Sequence, residues 1–354
     1  MIRLRICAPD IFEGDAVGNH CLGIARMGKR LGYEVSIYAK NFEANDDLIN
    51  PIEDLFGSVN ESDILLVAYS IYDPYLDLLL KLKCSKICYF HGITSPALLN
   101  EFDIATAKLC RLAIKQIKKF KSFDTIICNS KYTSLALKNI INPGRLLVIP
   151  PVFFDMATYK RVATKYSRGH ELNFLMVGRC VPHKNIELAI EVLAEVNNSL
   201  KQATLSIVGS TPNYNYFKFL INKARKLGVL SSIDFMGVIH EQALVNLYST
   251  TSGLLVTSKH EGFCVPVLEA MSCGSPVYVL GGNAAQELCL RPEIFLDSDH
   301  PSTWAASIDA EVNQSMLTME EKACERVTRA LTVLNLASDS IWLSALDDGK
   351  GVKQ

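Results

Sequence analysis

The chain has 354 residues, of which 49% are hydrophobic and 21% are charged, and its formal net charge is −1 at pH 7. This length suits two domains of ordinary size, and the composition is that of a globular protein rather than a disordered one. A net charge near zero argues against binding nucleic acid through a broad basic surface. No stretch approaches the roughly 18 apolar residues of a spanning helix, and the N-terminal apolar run is shorter than the core of a signal peptide.

The cysteines predict a reducing environment. The 11 cysteines form no C-x-x-C pair and have no histidine partners at zinc spacing. Most lie in apolar runs, as Cys88, Cys128 and Cys273 do, so we expect buried free thiols and a cytoplasmic protein.

The first part of the chain alternates short apolar, β-branched runs with amphipathic helical stretches. Its predicted strands span 2–8, 33–39, 63–69, 86–90, 125–129 and 146–149. The first strand, helix and strand form a βαβ unit, so the pattern predicts the α/β class with a parallel sheet. Polar and irregular composition over 156–171 then indicates a linker.

Two positions in this part are candidates for ligand binding. The loop DIFEGDAVGNH after the first strand contains glycines but lacks G-x-G-x-x-G spacing, so it fits either a plain connector or a loop that approaches phosphate. His91 directly follows the strand at 86–90, and parallel sheets bind ligands beyond the carboxyl ends of their strands. A lone histidine there is as often structural as functional.

The stretch ATAKLCRLAIKQIKKFKSF, at 105–123, predicts a basic amphipathic helix. Its six Lys and Arg side chains have no acidic residue among them. The apolar stripe comprises Leu109, Leu112, Ala113, Ile117 and Phe120. Such a helix can lie on an anionic membrane surface, or it can pack its stripe on the sheet and leave its charges solvated. We expect the apolar stripe to pack on the sheet, and we expect attraction of the basic face to lipid only where the membrane surface is anionic.

The second part repeats the alternation, with strands predicted at 173–177, 204–209, 233–236, 253–258 and 277–280. In FLMVGRCVPHKN, Arg179 ends a strand and Lys184 precedes a helix. Guanidinium and ammonium groups are common donors to phosphate oxygens. Their position at a strand-to-helix junction favours a phosphate site over two solvated charges.

The stretch from Gly253 to Gly282, GLLVTSKHEGFCVPVLEAMSCGSPVYVLGG, predicts a strand, a loop, a helix that begins near Pro266, and a further strand. A helix N-terminus directs free N–H groups and a positive dipole end into such a loop. Glu261 and Glu269 bracket this turn, so we expect a ligand with both phosphate and hydroxyl groups. In other contexts, two glutamates at this spacing are more often solvated surface charges.

E-G-F-C-V-P-V-L-E, followed by A-M-S-C-G-S-P-V, closely resembles the signature of retaining GT-B glycosyltransferases of the family 4 type, the glycosyl transferases group 1. The resemblance is strongest from Phe174 to Leu288. It implies the GT-B architecture, with two Rossmann-like domains whose parallel sheets face a central cleft. It places an acceptor domain at 1–155, the linker at 156–171 and a donor domain at 172–335. It also implies a C-terminal helix at about 336–347 that packs back on the first domain.

The resemblance further implies transfer of a sugar from a nucleotide-sugar donor, GDP-mannose or a UDP-sugar, to a hydroxyl of the acceptor, with retained configuration and without a metal or other cofactor. His91 and Glu261 would be the catalytic residues, which orient and polarise rather than attack. Arg179 and Lys184 would hold the diphosphate, and Glu269 the ribose. The other donor-binding residues it implies are Gly14, Asp15, Ala16, Ile239, Gly262, Phe263, Cys264 and Val265.

This sequence departs from the family pattern at two places. Pro151-Val152 stands where many relatives have an asparagine–glycine pair, which leaves the geometry of the hinge open. Cys264 stands where the family often has glycine or another small residue, so the preference for the sugar can differ.

The resemblance, the basic helix and the cytoplasmic prediction favour a glycan or lipid-linked saccharide as the acceptor. The setting would be polysaccharide or lipopolysaccharide synthesis at the inner face of the cytoplasmic membrane, by an enzyme similar to mannosyltransferases. Two alternatives stay open: a nucleotide-sugar 2-epimerase of the same architecture, and a non-catalytic nucleotide-sugar-binding protein. The residues do not fix the donor base, the sugar or the acceptor.

Overall fold

The structure is a computed structural model that describes residues 2–12, 15–42, 48–152, 159, 171–199, 202–289, 295–296 and 298–347. The chain divides into two compact units, each with its own parallel sheet. One unit takes its described residues from Met1–Ile93, Lys108–Phe154 and Leu334–Gln354, and the other from Thr94–Ala107 and Asp155–Val333. The predicted α/β class with parallel sheets is confirmed.

Strands and helices alternate along the described chain. The strands are β1 (Arg3–Ile11), β2 (Glu34–Phe42), β3 (Ile49–Pro51), β4 (Ile64–Tyr69), β5 (Ser85–Phe90), β6 (Thr125–Cys128), β7 (Leu146–Val148), β8 (Leu172–Val177), β9 (Ala203–Val208), β10 (Ile233–Gly237), β11 (Gly253–Val256), β12 (Val277–Leu280) and β13 (Phe295–Leu296). The helices are α1 (Ala16–Arg30), α2 (Ile52–Phe56), α3 (Leu76–Leu79), α4 (Ile104–Gln116), α5 (Lys131–Lys138), α6 (Ile186–Ser199), α7 (Tyr214–Lys226), α8 (Glu241–Thr250), α9 (Val265–Ser272), α10 (Pro301–Val312), α11 (Met316–Asn335) and α12 (Asp339–Asp347).

The first unit is built on a sheet with the order β3-β2-β1-β4-β5-β6-β7, and its neighbouring strands pair in parallel. The chain order reverses between β1 and β4, which is the kind of position where open α/β sheets bind ligands. Ser130, a residue type that favours the N-cap, begins helix α5 in a capping box with Thr133.

Helix α12 belongs to this first unit although it comes last in the chain. Trp342 is fully buried, and its ring stacks on that of Tyr89 with centroids 5.7 Å apart. At the surface, Arg30 and Asp339 form an ion pair at 2.7 Å. The C-terminal residues thus complete the core of the unit in which the chain begins.

The second unit has the sheet order β10-β9-β8-β11-β12-β13, and its strands also pair in parallel. Helix α6 packs a nearly all-apolar face on this sheet. The segment Thr94–Ala107 groups with this unit, whereas the predicted first domain ran unbroken from 1 to 155. One reason is Phe102, whose ring packs on Tyr216 at 5.1 Å and whose carbonyl accepts a hydrogen bond from Asn213 at 2.7 Å.

The basic stretch at 105–123 differs from its prediction in two respects. It begins as α4 at Ile104 and continues from Ile117 to Ser122 as a 3₁₀ helix. Ala113, Ile117 and Phe120 are buried as expected, but Leu109 is 38% exposed and lies outside the packed stripe. The six basic side chains are exposed.

Other differences concern short or late elements. The sequence predicts a short helix at 77–83, and the structure has the four-residue α3, Leu76–Leu79, there. β3, α2, β13, α10 and α11 carry no prediction from the sequence. Of the described helices, none has the length and apolar character needed to cross a membrane. The predicted linker lies outside the described residues except at Tyr159 and Glu171.

Candidate functional site

The strand order of the second sheet places two loops side by side. β8 and β11 are neighbours, with Phe174 paired to Gly253, and the chain order reverses between them. In open α/β sheets, ligands bind beyond the carboxyl ends of the strands at such a switch point. The loop after β8 carries Arg179 and Lys184, and the loop after β11 carries Glu261. Two motifs far apart in sequence therefore meet at one edge.

Glycines let the strand ends approach each other closely. Gly178 follows β8 with φ +144°, and Gly209 follows β9 with φ +139°. A Cβ atom on Gly209 would lie 2.1 Å from the carbonyl oxygen of Gly178. Any other residue at position 209 would clash with this carbonyl and would also strain the backbone, whose positive φ favours glycine.

Lys184 and Glu261 form an ion pair, with Nζ and Oε1 2.7 Å apart and side chains 17% and 10% exposed. Burial disfavours both charges. For Glu261 it raises the pKa, but the Lys184 ammonium outweighs it and holds the pKa below its usual value. For Lys184, burial lowers the pKa, but the carboxylate outweighs it and the pKa is raised. Both groups are therefore charged at neutral pH.

The two loops are joined by buried asparagine and threonine side chains. Asn185, in the left-handed region at φ 52°, donates from Nδ2 to the carbonyl of Thr257 at 3.1 Å. Thr257 donates in return to the carbonyl of Lys184 at 3.0 Å. These bonds fix Lys184 against the loop that carries Glu261.

Asn283 holds the same loop from the β12 side. Its Nδ2 donates to the carbonyls of Ser258 and Leu280 at 2.8 and 3.1 Å, and its Oδ1 accepts from the Ala285 N–H at 2.9 Å. Neither Asn185 nor Asn283 was predicted from the sequence as a residue of this site. An asparagine directly after Gly281-Gly282 was the available signal for a helix cap at Asn283.

Two histidines near the ion pair were also missed. Burial, together with the neighbouring Lys184 ammonium, lowers the pKa of His183 to about 3. Burial likewise lowers the pKa of His260. His183 Nδ1 is buried and has no hydrogen-bond partner in the described part of the chain. Arg179 is exposed, and its charge also depresses the pKa of His183, which places the guanidinium in the same neighbourhood.

Helix α9 begins at this site. Cys264 occupies the N-cap with φ 77° and makes no side-chain capping bond, and Pro266 lies in the first turn as predicted. Phe263 and Cys264 are buried, whereas Gly262 and Val265 are partly accessible. The left-handed backbone of a non-glycine residue is uncommon and costs roughly 1–3 kcal/mol. Helix N-terminal N–H groups without a capping side chain can bind an anion.

Glu269 lies one turn into α9 and contacts tyrosines. The Tyr248 hydroxyl donates to Oε2 at 2.7 Å. Burial raises the pKa of Glu269 to about 7, although hydrogen bonds from Tyr248 and Tyr159 oppose this shift. Its carboxyl group is therefore poised near neutral pH, and ionisation would favour a ligand that offers hydroxyl donors. No sequence pattern linked Tyr248 to this site.

Other predicted donor-binding residues have less defined settings. Ile239 is partly buried and follows β10. In the first unit, the Asp15 carboxylate caps α1 by accepting from the Val17 N–H at 3.2 Å, and Ala16 is the exposed first residue of that helix. Gly14 lies outside the described residues. A carboxylate that already caps α1 opposes a phosphate at the same N-terminus, and the predicted contact of Asp15 with a donor stays a prediction.

His91 lies at the carboxyl end of β5 in the first unit. The backbone N–H of His91 donates to the carbonyl of Tyr69 at 2.9 Å, and the backbone carbonyl of His91 accepts from Nδ2 of Asn129 at 3.2 Å. Its ring meets that of His20 edge-on, with centroids 5.1 Å apart. Burial lowers the pKa of His91 to about 3, so the ring is neutral at pH 7. Among the described residues, Nε2 of His91 has no hydrogen-bond partner and can engage a ligand.

The remaining prediction about ligands concerned metals. Across the described ranges, no group of three or more His, Cys, Asp and Glu side chains is arranged to hold a metal ion.

Comparison with known proteins supports the motif. Residues 163–288 match the family described as glycosyl transferases group 1. The serotype-specific mannosyltransferase WbdA of Escherichia coli is 24% identical over 208 residues, which cover 56% of this chain and 25% of WbdA. The GDP-mannose-dependent alpha-(1-6)-phosphatidylinositol dimannoside mannosyltransferase of Mycobacterium tuberculosis is 24% identical over 213 residues, covering 56% of this chain and 54% of that enzyme. The chain thus spans less than two thirds of these curated relatives.

Solved structures match over almost the full chain. Sucrose-phosphate synthase from Thermosynechococcus elongatus has a TM-score of 0.76 at 16% identity, covering 99% of this chain and 100% of that one. Anabaena HepE, solved in complex with UDP-glucose, has a TM-score of 0.73 at 18% identity, covering 97% and 100%. The chain therefore has the GT-B fold, and its residues 163–288 match the family model of the glycosyl transferases group 1.

Proposed function

We propose that this protein is a glycosyltransferase that moves a sugar from a nucleotide-sugar donor to a hydroxyl group of a saccharide acceptor. The observation that carries the proposal is the ion pair between Lys184 and Glu261 at the switch point of the second sheet. A structural ion pair alone would not require Arg179, two neutral histidines and the N-terminus of α9 around it. This combination supplies positive charge for a diphosphate and acceptors for sugar hydroxyls.

In the proposed reaction, the departing nucleoside diphosphate gains negative charge as the glycosidic bond breaks. Lys184, Arg179 and the N–H groups at the start of α9 would stabilise that charge in the transition state. The two cationic side chains would take the electrostatic role that a metal ion has in other enzymes, so we propose that activity survives a chelator. Glu261 would accept hydrogen bonds from the sugar, and Glu269 from the ribose.

We propose retention of configuration at the anomeric carbon, with no covalent nucleophile on the protein. Glu261 is held by Lys184, and an ion-paired carboxylate is a weak nucleophile. Front-face displacement assisted by the leaving phosphate agrees with this arrangement. His91 is neutral and has an unused Nε2, so it would act by a hydrogen bond to the substrate rather than by positive charge.

The proposed class of donor rests on the names of the relatives and on the ligand of one solved structure. Two curated relatives are named as mannosyltransferases, one of them GDP-mannose-dependent, and HepE was solved with UDP-glucose. We propose GDP-mannose or a UDP-sugar as the donor. The decisive first measurement is thermal unfolding with GDP-, UDP- and ADP-sugars, because a ligand that binds only the folded state raises Tm.

Activity is then tested with the best-binding donor and a panel of mannosides and lipid-linked saccharides. Release of nucleoside diphosphate together with a new glycoside of retained configuration, observed by proton NMR, would support the proposal. Interconversion of the donor without an acceptor would identify an epimerase instead. Tight donor binding with no turnover on any acceptor would point to a non-catalytic binding protein.

For location, we propose peripheral binding to the inner face of the cytoplasmic membrane through the exposed charges of 105–123. Lys119 pairs with Asp77 at 2.6 Å, so Lys115, Lys118 and Lys121 are the better residues to change. Replacing these three with glutamine should reduce co-sedimentation with phosphatidylglycerol vesicles. The exposed residues Lys218, Arg225 and Lys226 of α7 provide a control triple variant of equal charge change. Unchanged sedimentation of the first variant would refute the lipid role.

A further inference from the structure

A small cavity with several polar side chains in its wall lies in the second unit at the amino end of β12, whereas the site described above lies at the carboxyl ends of the strands. The cavity has a volume of about 110 Å³, and Tyr278, Ser307, Glu311, Gln314 and Arg326 contribute to its wall. Typical small-molecule pockets measure roughly 300–1,000 Å³. A nucleotide or a sugar chain is therefore too large for it.

Glu311 and Arg326 of the cavity wall form an ion cluster with Lys322, which lies behind the wall, and the charges of this cluster are unequal. Lys322 donates to Oε2 of Glu311 at 2.5 Å, and Arg326 donates through Nη2 to Oε1 of the same carboxylate. The Lys322, Arg326 and Glu311 residues are 7%, 5% and 9% exposed. Two cations share one anion, so this buried cluster has a net charge of +1. An uncompensated buried charge is costly, and an anion in the cavity would neutralise it.

Three residues of the wall each have a buried side-chain atom without a hydrogen-bond partner within the described residues: the Tyr278 hydroxyl, Nε of Arg326 and Oε1 of Gln314. Gln314 Nε2 donates to Oε2 of Glu311 at 3.1 Å, which identifies Oε1 as its unused atom. The wall thus offers two donors and one acceptor. Buried polar groups are nearly always satisfied in native proteins, so these atoms indicate a missing partner.

We propose that this cavity binds a small monovalent oxyanion that carries at least one hydroxyl group, such as hydrogen carbonate or dihydrogen phosphate. The oxyanion accepts from Arg326 Nε–H and the Tyr278 hydroxyl, donates its own O–H to Gln314 Oε1, and balances the cluster charge. A water molecule's share of liquid volume is about 30 Å³, so the cavity has room for about four waters, or for a compact oxyanion whose four or five non-hydrogen atoms are covalently bonded. A halide fits the charge but cannot donate to Gln314.

The test is thermal unfolding of the full chain at pH 7 and fixed ionic strength with sodium hydrogen carbonate, sodium phosphate or sodium chloride. At saturation, we expect at least one oxyanion to raise Tm by about 2–4 °C over chloride. Tyr278→Phe should remove most of this rise, and Gln314→Glu, which adds negative charge, should abolish it. Tyr214→Phe, which changes an exposed tyrosine of the same unit, is the control and should keep the full rise.

Phosphate can also bind at the Arg179 and Lys184 site, and the variants distinguish the two sources. An equal rise of Tm in the parent protein and in Tyr278→Phe would mean that the oxyanion binds at another site, and it would overturn the proposal. No rise with either oxyanion overturns it as well. Crystals grown with the better oxyanion should show density between Tyr278 and Arg326 that water alone does not fit, and density explained by water alone would contradict the assignment.

Discussion

The ion pair between Lys184 and Glu261 has a structural role and a proposed binding role, and substitutions can separate them. Lys184→Met leaves the Glu261 carboxylate buried without its cation, so we expect the free energy of unfolding to fall by about 3 kcal/mol. The double variant Lys184→Met/Glu261→Gln removes both charges at similar volume and should recover most of that loss. Urea unfolding of the single and the double variant measures both changes in the free energy of unfolding.

Donor binding should respond differently from stability. Neither the single nor the double variant has the cation proposed to hold the diphosphate, so calorimetric titration should show at least a tenfold loss of nucleoside diphosphate affinity in both. If the stable double variant binds the nucleotide as tightly as the parent, Lys184 is a structural residue and the site assignment is wrong.

Glu269 provides a prediction about pH. Its folded-state pKa of about 7 exceeds the ordinary 4.5, so the folded state holds this proton more tightly than the unfolded state does. The resulting stability is fully present below about pH 4.5 and is lost as the pH rises to 7, an upper limit of about 3 kcal/mol. Glu269→Gln does not ionise and should lack this decrease. Denaturation of both proteins at pH 5 and pH 8 tests it, and equal pH dependence would refute the raised pKa.

At the residue scale, the charged residues of the site could be predicted from the sequence, but the residues that hold them in place by hydrogen bonds could not. Lys184, Glu261 and Glu269 stand in motifs at strand-to-helix junctions, where chemistry and position agree. Asn185 reaches Thr257 and Tyr248 reaches Glu269 across 72 and 21 positions of sequence. These pairings depend on which loops become neighbours, and that follows from the strand order rather than from local pattern.

At the scale of elements, the loop after β11 depends on Asn283 from beyond β12. Asn283→Ala removes both Nδ2 bonds and the cap on Ala285, leaving buried carbonyls unsatisfied, so we expect a loss of about 2–3 kcal/mol in stability. Because the loop positions Glu261, donor affinity should fall as well. Asn313→Ala, at an exposed asparagine that bonds Asp309, is the matched control and should change neither. A destabilised Asn283→Ala with unchanged affinity would show that the loop keeps its shape without this support.

The junction of β8 and β9 can be tested by a pair of glycine substitutions. Gly209→Ala places a Cβ 2.1 Å from the Gly178 carbonyl and should destabilise the protein by more than about 3 kcal/mol. Gly228→Ala, at φ +72° with no atom of the described chain within 4 Å of the new Cβ, carries only the backbone cost of about 1–2 kcal/mol. Equilibrium unfolding compares them, and similar losses would mean that the strand ends can move apart.

Element order could be predicted because each strand is a short apolar run and each helix has a clear start or stop signal. Boundaries were less certain, since tertiary packing extends or shortens an element: β1 runs to Ile11 rather than Ala8, and α3 stops at Leu79. The predicted burial of the apolar stripe at 105–123 was wrong at Leu109 for a related reason. Helical periodicity identifies a face, but the extent of the covering sheet decides which turns of that face are buried.

At the scale of the whole molecule, the two parallel sheets could be expected from the alternation of strands and helices, and the resemblance placed the C-terminal helix with the first part of the chain. The grouping of Thr94–Ala107 with the second unit could not be predicted. It rests on Phe102, an aromatic residue without a periodic context, whose partners in α7 lie more than a hundred residues away.

The return of α12 to the first unit yields a prediction about the independence of the two units. Trp342 is fully buried against Tyr89, so Trp342→Ala should lower the stability of the first unit by about 3–5 kcal/mol. The proposed diphosphate ligands Arg179 and Lys184 belong to the second unit, whose core does not include this side chain. Calorimetry should therefore show a lower transition for the first unit with nearly unchanged nucleoside diphosphate affinity below that transition. Leu343→Ala, at a position 38% exposed in the same helix, controls for helix propensity and should leave the transition within about 1 °C. Loss of nucleotide affinity in Trp342→Ala would mean that donor binding requires an intact first unit.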